Sequence, residues 1–568
     1  MKQIAALLAL ILAGSCGSTA KVAKLVVTGD DKTVQQRPPH ARPSSPHSTQ
    51  ILFVAFDGVS REMLYDLLHQ HKLPNLAALI GGDDLEHAYL DQTLLAGMPS
   101  TTMAAWVSVL TGAPPAESGV TGNEYFIRER RELACPAPVS FVDSEPTLAI
   151  YTEGYLNKLV GVPSIYERIH QQDPEALIWV VMNHFFRGAD KLILAKRQVL
   201  VRATEGFIEA QLAKASGDTS RRVYEDLDKA AIDALTTRLA GDGPMPDVLT
   251  LYVSGADLYA HIAKEGPDPA RLAYLTEVID PALGPLVEAL RKRNALAHRW
   301  VIVTADHGHT QVLHDDQHAI GTSDHDAPAV LAKIGFRLRP FRQHVAENDP
   351  YSAVLAYGGP TAYVYLADRS KCPSAQDRCP FSEPPRYRED VLAAADAFYT
   401  NNEDGHLVPE MKGKLDMIFV REPRPVREVD LPFEVYIGHG KTQPIDDYLR
   451  DHPHPTYVAL AERMKDLAVG THGERAGDIM LLAHNGDRDT PEERYYFAEP
   501  YRSWHGSPSK QDSEIPLIVA HPQHSAADIK AWVVPILGEH PLQRKIADLI
   551  LALRKAPPRD APAATAHR

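Results

Sequence analysis

Short apolar runs alternate with amphipathic segments along most of this chain. The run Ile51-Leu52-Phe53-Val54-Ala55-Phe56 is continuously apolar, and similar runs cover residues 176–182, 247–253, 300–304, 478–483 and 515–520. Apolar residues at helical spacing lie between them, for example from Ser60 to Leu68 and from Arg271 to Leu290. Buried strands that alternate with helices predict an α/β fold in which helices flank a mostly parallel central sheet.

This alternation stops between residues 337 and 469, where prolines and acidic residues are frequent. We interpret that segment as an inserted cap or lid region, which divides an α/β core of residues 49–336 and 470–556. The Pro- and Ala-rich residues 557–568 predict a disordered tail.

The first residues have the pattern of an export signal. Lys2, a short apolar run and the small residues Gly14 and Ser15 predict a signal peptide over residues 1–15. Cys16 ends a sequence that resembles a bacterial lipobox, so we expect a lipid on Cys16 as the only attachment to a membrane. Cleavage after Ala20 is the alternative. Residues 16–48 then predict a flexible tether, and the protein is expected in the periplasm or at the outer membrane.

The net charge indicates which molecules the protein can bind, and the cysteine positions indicate which disulfide it can form. The net charge of -15 disfavours binding to nucleic acid, because a negative surface repels polyanions. Cys372 and Cys379 bracket a short polar loop and favour a disulfide in an oxidising compartment, two free thiols being the alternative. Cys135 is left without an evident partner.

Acidic residues and histidines follow several predicted strands, at the edge where α/β sheets bind ligands. Asp257 and His261 are four residues apart and can share one helical face, while Asp306 and His307 are adjacent. Three carboxylates and three imidazoles form the mixed oxygen and nitrogen ligand set that suits zinc. The six residues are Asp57, Asp257, His261, Asp306, His307 and His505.

Five blocks in the same order resemble the type I phosphodiesterase/nucleotide pyrophosphatase branch of the alkaline phosphatase superfamily. These blocks are FVAFDGVSREML, MPSTTMAAWVSVLTGAPPAESGVTGN, LYVSGADLYAHIAKEGP, VIVTADHGHT and SWHGSPSKQDSEIPLIVAHP. The resemblance covers residues 50–335 and 470–540. It implies two zinc ions per chain, one bound by Asp57, Asp306 and His307 and the other by Asp257, His261 and His505.

The same resemblance implies that Thr102 is a zinc ligand and the nucleophile, which forms a phosphothreonine that water then hydrolyses. Thr101 is the alternative nucleophile. Met103, Ala104 and Ala105 replace the family's Phe-Pro-Asn, so another group must hold a phosphoryl oxygen. Asn123 is a candidate for that contact and His309 a second candidate substrate contact. The alternatives are that Asn123 is a turn residue and that His309 supports a metal ligand.

The sequence therefore predicts hydrolysis of a small phosphorylated substrate of the phosphodiester or nucleotide pyrophosphate type. A phosphomonoesterase would share every metal ligand and is the main alternative. A surface binding protein with a vestigial site is the alternative of another class. A sulfatase is disfavoured, because residues 100–105 lack the Pro and Arg that follow its modified residue.

Overall fold

A computed structural model describes residues 31–33, 49–141, 143, 145–195, 199, 218–498 and 500–555. The predicted signal peptide, Cys16 and the predicted tail of residues 557–568 lie outside these residues. Within the described residues, none of the helices combines the length and the apolar character that crossing a membrane requires.

The described residues form 18 strands, numbered here in chain order. They are β1 Asp31–Thr33, β2 Gln50–Phe56, β3 Ala88–Asp91, β4 Tyr125–Ile127, β5 Glu132–Ala134, β6 Ile178–Val181, β7 Lys191–Ile193, β8 Val248–Val253, β9 Arg299–Ala305, β10 Thr310–Gln311, β11 Ala353–Gly358, β12 Thr361–Leu366, β13 Leu415–Val420, β14 Glu434–Tyr436, β15 Thr442–Pro444, β16 Ile479–Ala483, β17 Ser503–Trp504 and β18 Leu517–Ala520.

The α-helices are α1 Arg61–His69, α2 Pro74–Leu79, α3 Thr102–Thr111, α4 Pro115–Ser118, α5 Glu145–Glu153, α6 Tyr155–Leu159, α7 Ile165–Gln172, α8 Asp218–Ala240, α9 Gly255–Ala260, α10 Pro267–Tyr274, α11 Asp280–Lys292, α12 Ala327–Lys333, α13 Ala393–Asp404, α14 Ile445–Asp451, α15 Leu460–Ala468, α16 Lys510–Ser513, α17 Ala526–Leu537 and α18 Lys545–Lys555. A π-helical turn, Leu275–Ile279, joins α10 to α11.

Eight strands form the central sheet, in the order β1-β7-β6-β8-β2-β9-β18-β3. The five consecutive strands β7, β6, β8, β2 and β9 are parallel, whereas β1, β18 and β3 add to them by antiparallel pairing. Strands β2, β8 and β9 are buried on both faces, which explains their largely apolar sequences. The predicted mostly parallel sheet is confirmed.

The structure differs from the prediction at Asp31–Thr33, which the sequence placed in a flexible tether. These residues form β1 and pair with Ile193, Leu192 and Lys191 of β7. The segment is polar and short, so its sequence carries no strand pattern, and only the exposed edge of β7 provides its partner.

A second sheet has the order β11-β12-β16-β13-β14-β15 and is antiparallel throughout. Most of its strands come from the inserted region, but β16 comes from residues 479–483. The sequence pattern assigned that strand to the central sheet, and this assignment is wrong. An apolar run shows that a strand is buried but not which strand it pairs with, and β12 and β13 enclose β16 here.

Apolar side chains pack on both faces of this second sheet, against α12 and α13 on one face and α15 on the other. The predicted disulfide between Cys372 and Cys379 is present beside the sheet. Cys135 is a buried free thiol.

Candidate active site

Three neighbouring strands of the central sheet end at the same edge and bring the predicted metal ligands together. Asp57 directly follows β2, Asp306 and His307 follow β9, and α9 begins just after β8 and carries Asp257. His505 follows β17, which pairs with β10 and so reaches the same edge. This placement follows from the parallel order, since the carboxyl ends of parallel strands meet at one edge.

Asp57, Asp306 and His307 form the first ligand group, with ligand atoms all within 4.8 Å of one another. Nε2 of His307 lies 3.3 Å from Oδ1 of Asp57 and 3.4 Å from Oδ2 of Asp306. Both of these carboxylate oxygens are buried and accept no hydrogen bond from the described residues. Buried oxygens of this kind are costly unless a cation or a donor satisfies them.

Asp257, His261 and His505 form the second ligand group. Nε2 of His261 and Nε2 of His505 each lie 3.6 Å from Oδ1 of Asp257. The two groups adjoin, because the rings of His307 and His505 stack with centroids 3.5 Å apart. The structure therefore brings together all six residues that the sequence singled out.

Backbone carbonyls fix the orientation of the three histidines. Nδ1 of His261 donates to the carbonyl of Ser503 (2.7 Å), and Nδ1 of His505 donates to that of Ser100 (2.9 Å). Nδ1 of His307 lies 3.0 Å from the carbonyl of its neighbour Gly308. A proton held on Nδ1 leaves Nε2 as a free lone pair, which is the form that binds a metal.

Burial favours the neutral form of several of these groups. It raises the pKa of Asp57 well above its usual range, and the facing Asp306 and Asp257 add to this effect. Burial also lowers the pKa of His261 and, further, that of His505. Crowded carboxylates beside neutral imidazoles are unfavourable alone and fit a bound divalent cation. The unbonded oxygens and the aligned Nε2 atoms support the same conclusion.

Thr102 is the first residue of α3 and faces the first ligand group. Its Oγ1 lies 3.3 Å from Nε2 of His307, and the residue is 8% exposed. Thr101 lies outside the helix, and its Cγ2 faces Gly358 and Gly506 instead. The hydroxyl of Thr102 therefore lies beside a candidate metal ligand, and Thr101 stays the alternative nucleophile.

Asn123 lies next to the start of the same helix. Its Oδ1 accepts a hydrogen bond of 2.9 Å from the backbone nitrogen of Met103. This bond leaves the amide NH2 group as the donor that can turn toward a ligand on Thr102. The structure thus places Asn123 close to the predicted nucleophile.

His309 contacts Asp257, a candidate metal ligand. Its Nε2 lies 2.7 Å from Oδ1 of Asp257, and its Nδ1 lies 3.1 Å from Oγ of Ser503. The side chain is fully buried. Both ring nitrogens face protein groups, as expected if His309 supports a ligand, which is the alternative role; its contact with substrate stays a prediction.

Tyr252 also lies in the site, although the sequence did not predict it as a site residue. It is the penultimate residue of β8, and its hydroxyl donates a hydrogen bond to Oδ2 of Asp57. The hydroxyl group of a tyrosine between two aliphatic residues at a strand end could have indicated a site residue, but tyrosine is common in buried strands.

The second sheet also reaches the site, through the turn between β11 and β12. Gly359 in this turn has φ +70°, and a Cβ atom there would lie 2.5 Å from the carbonyl oxygen of His505. A Cβ atom on Gly506 would lie 2.2 Å from the carbonyl oxygen of Gly358. The backbone of this turn therefore packs directly against the segment that carries His505.

Solved structures of known enzymes resemble this chain over most of its length, each with a TM-score of 0.46. Murine ectonucleotide pyrophosphatase / phosphodiesterase 5, an inactive variant in complex with AMP, is 13% identical and covers 89% of this chain and 94% of its own. The human protein of that name is 14% identical, with 90% and 97% covered. Phosphonoacetate hydrolase from Sinorhizobium meliloti, in complex with phosphonoformate, is 17% identical, with 90% and 96% covered.

A family model matches more than half of the chain. The model describes type I phosphodiesterases / nucleotide pyrophosphatases and matches residues 51–372, which include Asp57, Thr102 and Asp257 as well as Asp306 and His307. The family resemblance drawn from the sequence is thereby confirmed, and with it a hydrolase of phosphoesters with candidate metal-ligand groups. The chain belongs to the type I phosphodiesterase / nucleotide pyrophosphatase family.

Proposed function

We propose that this protein hydrolyses phosphodiester or nucleotide pyrophosphate bonds, with Thr102 as the nucleophile between two zinc ions. The observation that carries the proposal is the position of Thr102. Its Oγ1 is 3.3 Å from Nε2 of His307, a member of the first ligand group, whose ring stacks on His505 of the second. The hydroxyl thus lies where both ligand groups meet.

Each candidate ligand group offers three protein ligands, and a zinc ion held there would keep open positions for the hydroxyl and for substrate. Bound zinc would supply Lewis acidity, which lowers the pKa of the Thr102 hydroxyl and offsets phosphate charge. Oγ1 of Thr102 attacks phosphorus as the bond to the leaving group breaks. The start of α3 and the amide of Asn123 hold the phosphoryl oxygens. Water then attacks phosphorus, the bond to Oγ1 breaks, and a proton from that water returns to Thr102, whose own proton had passed through solvent to the leaving group in the first step.

Paired substitutions test the nucleophile. Thr102→Ala should lower kcat by about 10³-fold or more while the unfolding free energy changes by about 1 kcal/mol or less. Thr102→Ser should keep part of the activity, because it retains the hydroxyl. Thr101→Ala is the matched control and should be mild. If only Thr101→Ala abolished activity, the nucleophile would be one residue earlier.

A substrate panel tests the proposed bond type. Metal-replete protein is assayed with bis-p-nitrophenyl phosphate, p-nitrophenyl phosphate and a nucleotide ester. We expect a higher kcat/KM for the diester and the nucleotide ester than for the monoester. The reverse order would make the protein a phosphomonoesterase, and no turnover by zinc-loaded protein would favour a binding role.

We further propose that the protein is exported and anchored by a lipid on Cys16. The support is the signal-like sequence before Cys16 alone. Mass spectrometry of the mature N-terminus should find a lipidated Cys16. An unmodified N-terminus at Lys21 would refute the anchor and leave export intact.

A further inference from the structure

A second cluster of metal-binding side chains lies on the other sheet. Asp416 is in β13, and His484 and Asp487 directly follow β16. Their ligand atoms all lie within 4.8 Å of one another. The side chains are only 6%, 14% and 7% exposed, respectively. None of these residues belongs to either ligand group of the candidate active site.

The cluster is centred on one carboxylate oxygen. Nδ1 of His484 lies 3.6 Å from Oδ1 of Asp416, and Nε2 of His454 lies 3.9 Å from the same atom. Oδ2 of Asp416 accepts a hydrogen bond of 2.6 Å from Tyr457. Among the described residues, Oδ1 accepts none within hydrogen-bond distance. Nδ1 of His484 and Nε2 of His454 therefore face Oδ1 of Asp416, and neither is close enough to it for a hydrogen bond.

These separations are typical of ligands around an ion. Ligands bound at about 2.0–2.1 Å in a tetrahedral site lie roughly 3.4 Å apart. In the candidate active site, the corresponding separations are 3.3 Å and 3.4 Å in the first group and 3.6 Å in the second. The 3.6 Å between Nδ1 of His484 and Oδ1 of Asp416 falls in this range, whereas Nδ1 of His484 and Oδ2 of Asp487 are 2.7 Å apart and share a hydrogen bond that a metal ion would replace.

Arg488 supplies a positive charge to the cluster in this structure. Its guanidinium lies 2.9 Å from Nε2 of His484 and 3.1 Å from Oδ2 of Asp487, which is itself 2.7 Å from Nδ1 of His484. The Arg488 side chain is 41% exposed. Because it reaches the cluster from the surface, it can move into solvent at little cost when a cation competes.

We propose that Asp416, His484 and Asp487 bind a third divalent metal ion of the zinc class, with His454 as a fourth donor. Two carboxylates balance the charge of a dication, and two neutral imidazoles complete a mixed oxygen and nitrogen set. Displacement of Arg488 accompanies binding. The site goes beyond the proposed hydrolysis, which uses other residues.

The ion would join loops that support His505. The backbone nitrogen of Val458 donates to the carbonyl of Pro508 (3.1 Å), and that of Lys510 donates to Thr456 (2.8 Å). A Cβ atom on Gly486 would lie 2.3 Å from Oγ of Ser509. Both ligand-bearing loops thus pack on residues 508–510, just after His505. The third ion is therefore structural and helps to fix that segment.

Metal counting tests the site. Metal-depleted protein is saturated with Zn²⁺, freed of excess by gel filtration and analysed for zinc per folded chain. The Asp416→Asn/His484→Ala variant should bind one ion fewer than wild type. His406→Ala is the matched control, because His406 and Asp404 form an exposed pair with a 2.7 Å contact and should bind no ion. Should the double variant not fold, His484→Gln alone gives the same comparison.

Arg488→Gln should strengthen zinc binding at the third site, whereas the Asp416 and His484 substitutions should remove it. Removing the competing cation should lower the Kd of the third site for Zn²⁺ several-fold, while the catalytic sites keep theirs. Equal zinc content in wild type and the Asp416 or His484 variants would overturn the proposal, as would an unchanged zinc titration for Arg488→Gln. In that case the cluster is an ion-pair network held by Arg488. Activity of the zinc-loaded wild type tests the proposed hydrolysis separately.

Discussion

At the scale of single residues, metal binding depends on the candidate ligands and equally on the residues that hydrogen-bond to them. Tyr252 donates to Oδ2 of Asp57, which leaves Oδ1 to face the first ligand group. Nε2 of His309 lies 2.7 Å from Oδ1 of Asp257, the oxygen that also faces His261 and His505. Such hydrogen bonds fix a carboxylate before a metal ion arrives and so favour binding.

Tyr252→Phe removes one of these bonds without changing the shape of the side chain. We expect the affinity of the first ligand group for zinc to fall by about 10-fold to 100-fold, since Asp57 loses the donor that orients it. Competition with a chelator measures this affinity. Tyr166→Phe is the control, because the hydroxyl of Tyr166 is hydrogen-bonded to Oγ1 of Thr250 (2.8 Å) within the core. Equal zinc affinities in the two variants would contradict the role of Tyr252.

The six ligands could be predicted from the sequence because each carries its own chemistry and a position next to a strand or on a helical face. Tyr252 could not, since its role depends on a contact between neighbouring strands, in which Tyr252 of β8 pairs with Ala55 of β2. The contact that His309 makes could not be predicted from the sequence either. Its position two residues after His307 left both a substrate contact and support of a ligand open, and only the fold shows that its ring faces Asp257.

At the scale of elements, the site depends on how the second sheet meets the central one. The turn between β11 and β12 approaches His505 so closely that only glycine fits at residue 359. The start of α9 is held in another way: Asp228 accepts hydrogen bonds from the backbone nitrogens of Ser254 and Gly255, three and two residues before Asp257.

Gly359→Ala tests the contact between the sheets. Its Cβ atom would meet the His505 carbonyl at 2.5 Å, so we expect a loss of activity and a lower unfolding free energy. Gly440→Ala is matched in backbone conformation, with φ +70° at both residues, but has nothing within 4 Å of the added atom. It should cost only the backbone strain of about 1–2 kcal/mol. Gly359→Ala should cost about 1–3 kcal/mol more. Denaturant unfolding giving equal losses would contradict the close approach.

Asp228 gives a pH dependence to the helix start. Burial raises its pKa to about 6, although Tyr274 and two backbone nitrogens donate to it. A raised pKa in the folded state stabilises the protein below the unfolded pKa of about 3.9, and this contribution is lost as the pH rises to about 6. The unfolding free energy of wild type relative to Asp228→Asn should therefore fall by about 2 kcal/mol between pH 4 and pH 6, out of about 3 kcal/mol between pH 3 and pH 8.

The control for this comparison is Asp233→Asn, an exposed change on the same helix, which should show no such trend. Chemical denaturation at several pH values measures all three proteins. A constant difference between wild type and Asp228→Asn would mean that the Asp228 carboxyl keeps its charge throughout.

The elements themselves were easier to predict than their pairing. The runs at residues 51–56, 247–253 and 300–304 became β2, β8 and β9, because strands buried on both faces must be apolar throughout. The run at residues 478–483 has the same character but lies in the second sheet. Sequence patterns report burial, whereas pairing depends on contacts between distant segments.

At the scale of the whole molecule, one edge of the central sheet gathers residues that are up to 448 positions apart, from Asp57 to His505. The second sheet closes over this edge through β11, β12 and the segment after β16. Metal ions that bind several of these segments at once would stabilise the folded state over the unfolded chain.

Metal removal tests this coupling. Treatment with EDTA should abolish hydrolysis and lower the melting temperature, because buried carboxylates such as Asp57 and Asp306 lose their cation. Zinc in excess should restore both properties, and EDTA saturated with zinc beforehand is the control. At 100 times the Kd, each site that binds only the folded state contributes about 2.7 kcal/mol. Unchanged melting after complete zinc removal would contradict a metal-supported fold.

Trapping the covalent intermediate tests the central claim most directly. Zinc-loaded protein is quenched with acid during turnover of a diester substrate, digested and analysed by peptide mass spectrometry. We predict that the mass of the substituted phosphoryl group appears on Thr102, and that it is absent from Thr102→Ala treated in the same way. An adduct on Thr101, or full activity of Thr102→Ala with zinc bound and no adduct, would contradict Thr102 as the nucleophile.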